Sequence, residues 1–150
     1  MTIDAFKELF ERDLNRLKID IEAYKNYDDM WKTTGGIKNS AGHLSVHIVG
    51  NLNYYMGAGL SNNGYVRNID LEFSCQSIPK AELIKQIDDA IAIVIKALDQ
   101  LTEDQLKEDF PIQIWENKVS TIFFLMHLHS HLNYHLGQIN YHRRLLDKSF

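Results

Sequence analysis

Three histidines are the residues of this sequence whose type and spacing point to chemistry. His131 and His135 lie four residues apart in a segment with the pattern of a helix. Because a helix turns by about 100° per residue, both imidazoles point the same way, about 6 Å apart along the axis. Two imidazoles at that spacing can bind one divalent ion at about 2.0–2.1 Å each. The spacing is also common among histidines that are only hydrogen-bonded, so it leaves a structural role open.

A third histidine belongs to a different predicted helix. His47 lies in the middle of the inner stripe of the second helix, and helical proteins commonly build metal sites from side chains of facing helices. Three histidine ligands leave positions for water or substrate, as catalytic zinc sites do. The sequence therefore predicts a metal site formed by His47, His131 and His135, whereas His129 faces the opposite side of its helix.

Neighbouring polar residues are candidates for orienting the ligands or lining the pocket. For Asn51 and Gln138 the alternative is ordinary pairing of buried polar groups, and neither interpretation is favoured. For His43 and His127 a structural role is favoured over direct metal ligation. An acidic fourth ligand from the first helix, Asp13 or Asp28, is left open because Cys75 lies outside both ligand helices. No catalytic residue is singled out. The orienting or pocket candidates are His43, Asn51, His127 and Gln138.

Four helical segments position these residues. Apolar residues recur every three or four positions over 3–28, 39–60, 79–101 and 119–146. Residues 61–78 form the longest connection, a long crossover. This pattern predicts an all-α fold, an up-down four-helix bundle with a long crossover connection.

Two connections carry further expectations. Arg67, in the crossover, either contacts the carboxylate of a thiol cofactor or forms a local ion pair with Asp70 or Glu72, and the ion pair is favoured. The segment from Phe110 to Lys118 contains a proline and alternates apolar with polar residues, which favours an extended excursion or hairpin.

Composition bounds the function. The 150 residues suit one domain, 1–150, and the net charge of −4 without a basic cluster gives no reason to expect a nucleic-acid partner. No apolar stretch reaches the roughly 18–20 residues that cross a bilayer, and the polar N-terminus lacks a secretory pattern. With one cysteine, no intrachain disulfide forms. We expect a soluble, cytoplasmic protein with no membrane partner.

Two motifs carry a resemblance to a known family. Residues 131–139 (HLNYHLGQI) resemble the last helix of the DinB superfamily, and residues 44–52 (LSVHIVGNL) resemble its second-helix histidine segment. Residues 64–68 (GYVRN) and 72–74 (EFS) look like one bacterial DinB-like subfamily, mostly of uncharacterised proteins. The resemblance implies a four-helix bundle, frequently a homodimer, that binds zinc, nickel or a similar divalent ion. The ligands that it implies are His47, His131 and His135.

The resemblance also implies a class of chemistry. Better understood relatives look like metal-dependent transferases that act on a small-molecule substrate with a low-molecular-weight thiol. An ion held by three neutral imidazoles keeps its charge and can stabilise a thiolate. The same ion activating water would give a hydrolase. A metal-containing binding or stress-response dimer without turnover is the third hypothesis, and the ligands alone do not separate the three.

Overall fold

The first helix forms where apolar residues recur along one face. In the computed structural model, which describes residues 1–147, α1 spans Thr2–Glu22. It ends earlier than the predicted Asp28, because the side chain of Asn26 accepts a hydrogen bond from the Asp28 amide and starts a separate 3₁₀ turn, Tyr27–Trp31. The apolar side chains that α1 buries are Ile3, Phe6, Phe10, Leu14, Leu17 and Ile21.

The second helix changes its winding halfway along. α2 spans Ala41–Leu52, and its first turn is capped by Ser40, whose hydroxyl oxygen accepts a hydrogen bond from the His43 amide. The chain then continues as a π-helical segment, Asn53–Leu60. The predicted helix therefore has the right extent, but its second half is not α-helical. Such wider turns are frequent at functional sites.

The crossover contains a short helix that the sequence analysis did not predict. α3 spans Ile69–Ser74, and the side chain of Asn68 caps it by accepting a hydrogen bond from the Leu71 amide at 3.0 Å. This helix packs against α2 and so brings crossover residues next to His47.

The last two long helices match their predicted ranges. α4 spans Lys80–Asp99 and α5 spans Thr121–Leu146. Between them, after a 3₁₀ turn at Gln105–Lys107, the chain makes an extended excursion. Its two arms pair at a single antiparallel bridge between Asp109 and Ser120, as expected for a hairpin over residues 110–118.

The four long helices of residues 1–147 enclose the core. α1 packs against α4 and α5, and α2 packs against the same two helices. The structure has no β-strand within these residues, so the predicted all-α class is confirmed. No helix in that range is both long enough and apolar enough to cross a bilayer. Fully buried side chains from all four helices meet in the core, among them Phe10, Ile48, Leu83 and Phe124.

Candidate metal centre

Two helices bring the three predicted histidines together. His47 comes from α2, and His131 and His135 come from successive turns of α5. The Nε2 atom of His131 lies 3.1 Å from the Nε2 atom of His47 and 3.1 Å from that of His135. One ring nitrogen from each of the three residues lies within 4.8 Å of the others. The i,i+4 spacing thus places His131 and His135 on one face of α5, as predicted, and His47 on α2 faces them.

The spacing of these nitrogens suits a single ion. Two ligands that each bind one ion at about 2.0–2.1 Å can be at most about 4.2 Å apart. The two separations of 3.1 Å fall well within that limit. The residues present therefore fit a divalent metal ion with imidazole ligands, the kind of ligand that zinc, nickel and copper accept.

Hydrogen bonds at the outer ring nitrogens aim the inner ones. His47 donates from Nδ1 to the Oε1 atom of Glu72 at 2.9 Å, and His135 donates from Nδ1 to the Oε1 atom of Gln138 at 2.7 Å. Since both partners are acceptor oxygens, each neutral ring carries its proton on Nδ1 and keeps the lone pair on Nε2. Both lone pairs are therefore available where the three rings meet.

Burial keeps the three imidazoles uncharged. Desolvation lowers the pKa of His47 and of His135, although the hydrogen bonds to Glu72 and Gln138 act in the opposite direction. Desolvation lowers the pKa of His131 to about 3, with further lowering by His135 and His47. Near pH 7 the cluster is therefore neutral, which is the state that binds a metal ion.

The cluster is half-buried and has aromatic walls. The ring of Phe73 lies 4.8 Å from that of His47, and Tyr134 lies 5.4 Å from His135 in an edge-to-face arrangement. His127 packs edge-on against Trp115 at 4.8 Å, and its ring centre is 6.4 Å from that of His131. The predicted pocket candidate His127 therefore borders the cluster, and desolvation lowers its pKa.

An ion pair from the crossover lies behind His47. Arg67 donates from Nε to Oε2 of Glu72 at 2.9 Å and from Nη2 to Oε1 at 3.0 Å. The favoured prediction of a local ion pair at Arg67 is therefore confirmed, with Glu72 rather than Asp70 as its partner. The contact between Glu72 and His47 was not predicted. The sequence shows only that the long crossover contains an acidic residue, and this does not indicate that its partner lies 25 positions away.

The remaining orienting candidates divide into two groups. Gln138 contacts His135, whereas His43 lies apart from the cluster and bridges its own helix cap to the crossover. One ring nitrogen of His43 bonds the Ser40 hydroxyl at 2.9 Å, and Nε2 donates to the carbonyl of Cys75 at 2.8 Å. Asn51 is buried in α2 and is not one of the three clustered residues.

Asp13 belongs to a separate network on the far side of α5. Its fully buried carboxylate accepts hydrogen bonds from Arg12, His129 and Asn133 at 2.7–3.1 Å. Burial raises the pKa of Asp13, but these hydrogen bonds outweigh it and lower the pKa to about 2. Asp13 is therefore not a fourth ligand, because it binds the histidine that faces away from the cluster. Asp28 is exposed on the 3₁₀ turn after α1 and is not in the cluster either.

Comparison with known proteins gives a family and a fold. The family model described as "Protein of unknown function (DUF1572)" matches residues 2–149. None of the curated proteins matches the chain. A solved structure described as a conserved protein from Enterococcus faecalis is similar over 95% of both chains, with a TM-score of 0.76 and 17% sequence identity. At that identity the likeness shows a shared fold.

Proposed function

Since the chain belongs to the DUF1572 family of proteins of unknown function, we propose its function from the site itself: a metal-dependent transferase that acts on a small molecule with a low-molecular-weight thiol. The proposed ligands of one divalent ion, zinc or nickel, are His47, His131 and His135. The observation that carries the proposal is the convergence of three Nε2 atoms on neutral, half-buried rings.

The donor set selects the kind of metal. The three clustered residues offer nitrogen only, whereas Ca²⁺ and Mg²⁺ require oxygen ligands. A divalent ion held by three neutral imidazoles keeps its double positive charge and supplies a Lewis-acidic position for an anionic sulfur or oxygen donor. Structural zinc sites usually have four protein ligands, so a three-histidine set favours a site that admits a further ligand.

Residues around the cluster have defined roles in this proposal. Phe73 and Tyr134 pack against the rings of His47 and His135, and the partly buried Phe73 shields one side of His47 from water. Gln138 holds the ring of His135 through its Nδ1 atom. His127 borders the cluster beside Trp115, and burial lowers its pKa, so it would line the pocket as a neutral side chain near pH 7.

The proposal extends to architecture and assembly. The mutual packing of four long helices supports an up-down four-helix bundle of the DinB type. A homodimer is the proposed assembly. The apolar faces of α1 and α4 are largely buried in the core, whereas α5 exposes large apolar side chains along its length. These are Phe123, Met126, Tyr134, Tyr141 and Leu145.

A thiol titration tests the transferase proposal. Protein loaded with Co²⁺ is titrated with bacillithiol and glutathione, and a sulfur-to-cobalt charge-transfer band in the near ultraviolet is expected. The matched control is His131→Ala, which removes the nitrogen shared by both short contacts and should abolish the band. Absence of the band with every thiol would reject the transferase proposal. Since water activation needs the same donor set, an ester or amide substrate screen then follows.

A further inference from the structure

Glu72 is a buried carboxylate, and both of its oxygens accept hydrogen bonds. It lies on α3 with 4% of its surface exposed. Its Oε1 atom accepts from His47 at 2.9 Å and from Arg67 at 3.0 Å, while Oε2 accepts from Arg67 at 2.9 Å. A buried carboxylate lowers the free energy of unfolding unless it is paired and hydrogen-bonded, and here the guanidinium of Arg67 donates to both oxygens. The carboxylate plane is therefore fixed.

The backbone of α2 leaves room for this carboxylate at one position. A Cβ atom added to Gly50 would lie 2.0 Å from Oε2 of Glu72 and 2.6 Å from its Cδ atom. Any side chain at position 50 would therefore push the carboxylate away from the helix surface. Gly50 lies one turn after His47 on α2, so the space it leaves is next to the imidazole that Glu72 contacts.

We propose that Glu72 is a positioning residue of the metal centre, held by Arg67 and admitted by Gly50, so that the crossover supplies the carboxylate of a carboxylate–histidine–metal arrangement. The hydrogen bond at Nδ1 fixes the tautomer and the ring plane of His47 and makes its Nε2 atom a stronger donor. The inference rests on the proposed metal binding, and it adds that correct docking of residues 61–78 sets the affinity. The crossover is thus part of the site rather than a passive connection.

The expected loss of metal affinity follows from the role of Glu72 as a hydrogen-bond partner of a metal ligand. Loss of such an outer hydrogen-bond partner typically weakens metal affinity by about 10–100-fold. Glu72→Gln should therefore raise the dissociation constant for Zn²⁺ by at least about 10-fold. The matched control is Asp70→Asn, which removes the same charge from an exposed position on the same short helix. Its affinity should stay within about twofold of the wild-type value, because exposed charges contribute little.

A double-mutant cycle shows whether Glu72 acts through His47. Affinities are measured by competition with a chromophoric chelator for the wild type, Glu72→Gln, His47→Ala and the double variant. If Glu72 acts through the imidazole, Glu72→Gln has less than about a twofold effect once His47 is replaced. An equal loss in both backgrounds would overturn the proposal. If the wild-type protein has no measurable affinity for Zn²⁺, the proposed function itself is rejected.

A second pair of variants keeps the test independent of folding losses at Glu72. Gly50→Ala leaves the residue types of Glu72, Arg67 and His47 unchanged, but it puts a methyl group where the Glu72 carboxylate lies. It should weaken Zn²⁺ binding by about 10-fold. Gly137→Ala on α5 is the control, because an added Cβ there meets nothing within 4 Å. Should Glu72→Gln fail to fold by circular dichroism, wild-type affinity in a folded Gly50→Ala protein would overturn the proposal.

Discussion

The two histidines that flank His131 on α5 allow a sharp comparison. His135 lies one turn after His131 in the cluster, whereas His129 lies on the other side of the helix and bonds Asp13 at 2.7 Å. His135→Ala should therefore weaken metal binding strongly, and His129→Ala should leave it unchanged. Both variants remove the same imidazole from the same helix, so each is the control for the other.

The expected loss can be estimated from zinc sites of known ligand number. Four-ligand structural sites bind with about 10–16 kcal/mol near pH 7, which is about 3 kcal/mol for each ligand. Since each 1.4 kcal/mol corresponds to a factor of ten, His135→Ala should raise the dissociation constant by about 100-fold. His129→Ala instead leaves the buried Asp13 carboxylate with one donor fewer, so it should lower the free energy of unfolding.

The assay is competition for Zn²⁺ against a chromophoric chelator at pH 7.4, with protein that carries no histidine tag. Circular dichroism of each metal-free variant shows that it is folded. Equal losses of affinity in the two variants would refute the assignment of faces on α5. A loss confined to His129→Ala would place the metal in the Asp13 network instead.

Three further predictions concern stability and assembly. Asp13→Ala should lower the free energy of unfolding, measured in urea, by about 3 kcal/mol, because it breaks a buried charged network. The affinity for Zn²⁺ should stay the same, and a lowered affinity would contradict the separation of the Asp13 network from the histidine cluster. The free energy of unfolding of the metal-free protein should fall as the pH falls from about 6.5 towards 3. The reason is that the unfolded chain binds a proton at His131, whereas in the folded chain the pKa of His131 is about 3. His131→Asn should flatten this pH dependence, and an unchanged slope would contradict the prediction. Light scattering at micromolar concentration should give the mass of a dimer, and Tyr141→Glu should shift it to the monomer, whereas a wild-type monomer would count against the α5 surface.

The part of the site that was predictable from sequence follows helical periodicity. The i,i+4 spacing of His131 and His135 fixes their common face without knowledge of any other element. The placement of His47 in the inner stripe of α2 was enough to bring it opposite that pair. The exclusion of His129 also followed from the helical phase, and its contact with Asp13 agrees with it.

The rest depends on contacts that local patterns do not encode. Glu72 reaches His47 only because a short helix forms inside the crossover and because Gly50 leaves room for the carboxylate. The early end of α1 reflects competition from the Asn26 side chain, which the apolar stripe alone does not reveal. The π-helical winding after Leu52 likewise leaves the apolar pattern of that segment intact.

The central claim, that His47, His131 and His135 hold a divalent ion, is tested most directly by metal stoichiometry. Tag-free protein, purified without a nickel column, is analysed by inductively coupled plasma mass spectrometry before and after incubation with Zn²⁺ or Ni²⁺ and gel filtration. We predict about one divalent ion per chain in the wild type and almost none when all three histidines are replaced by alanine. A wild-type protein that contains no metal and takes up neither ion would contradict it.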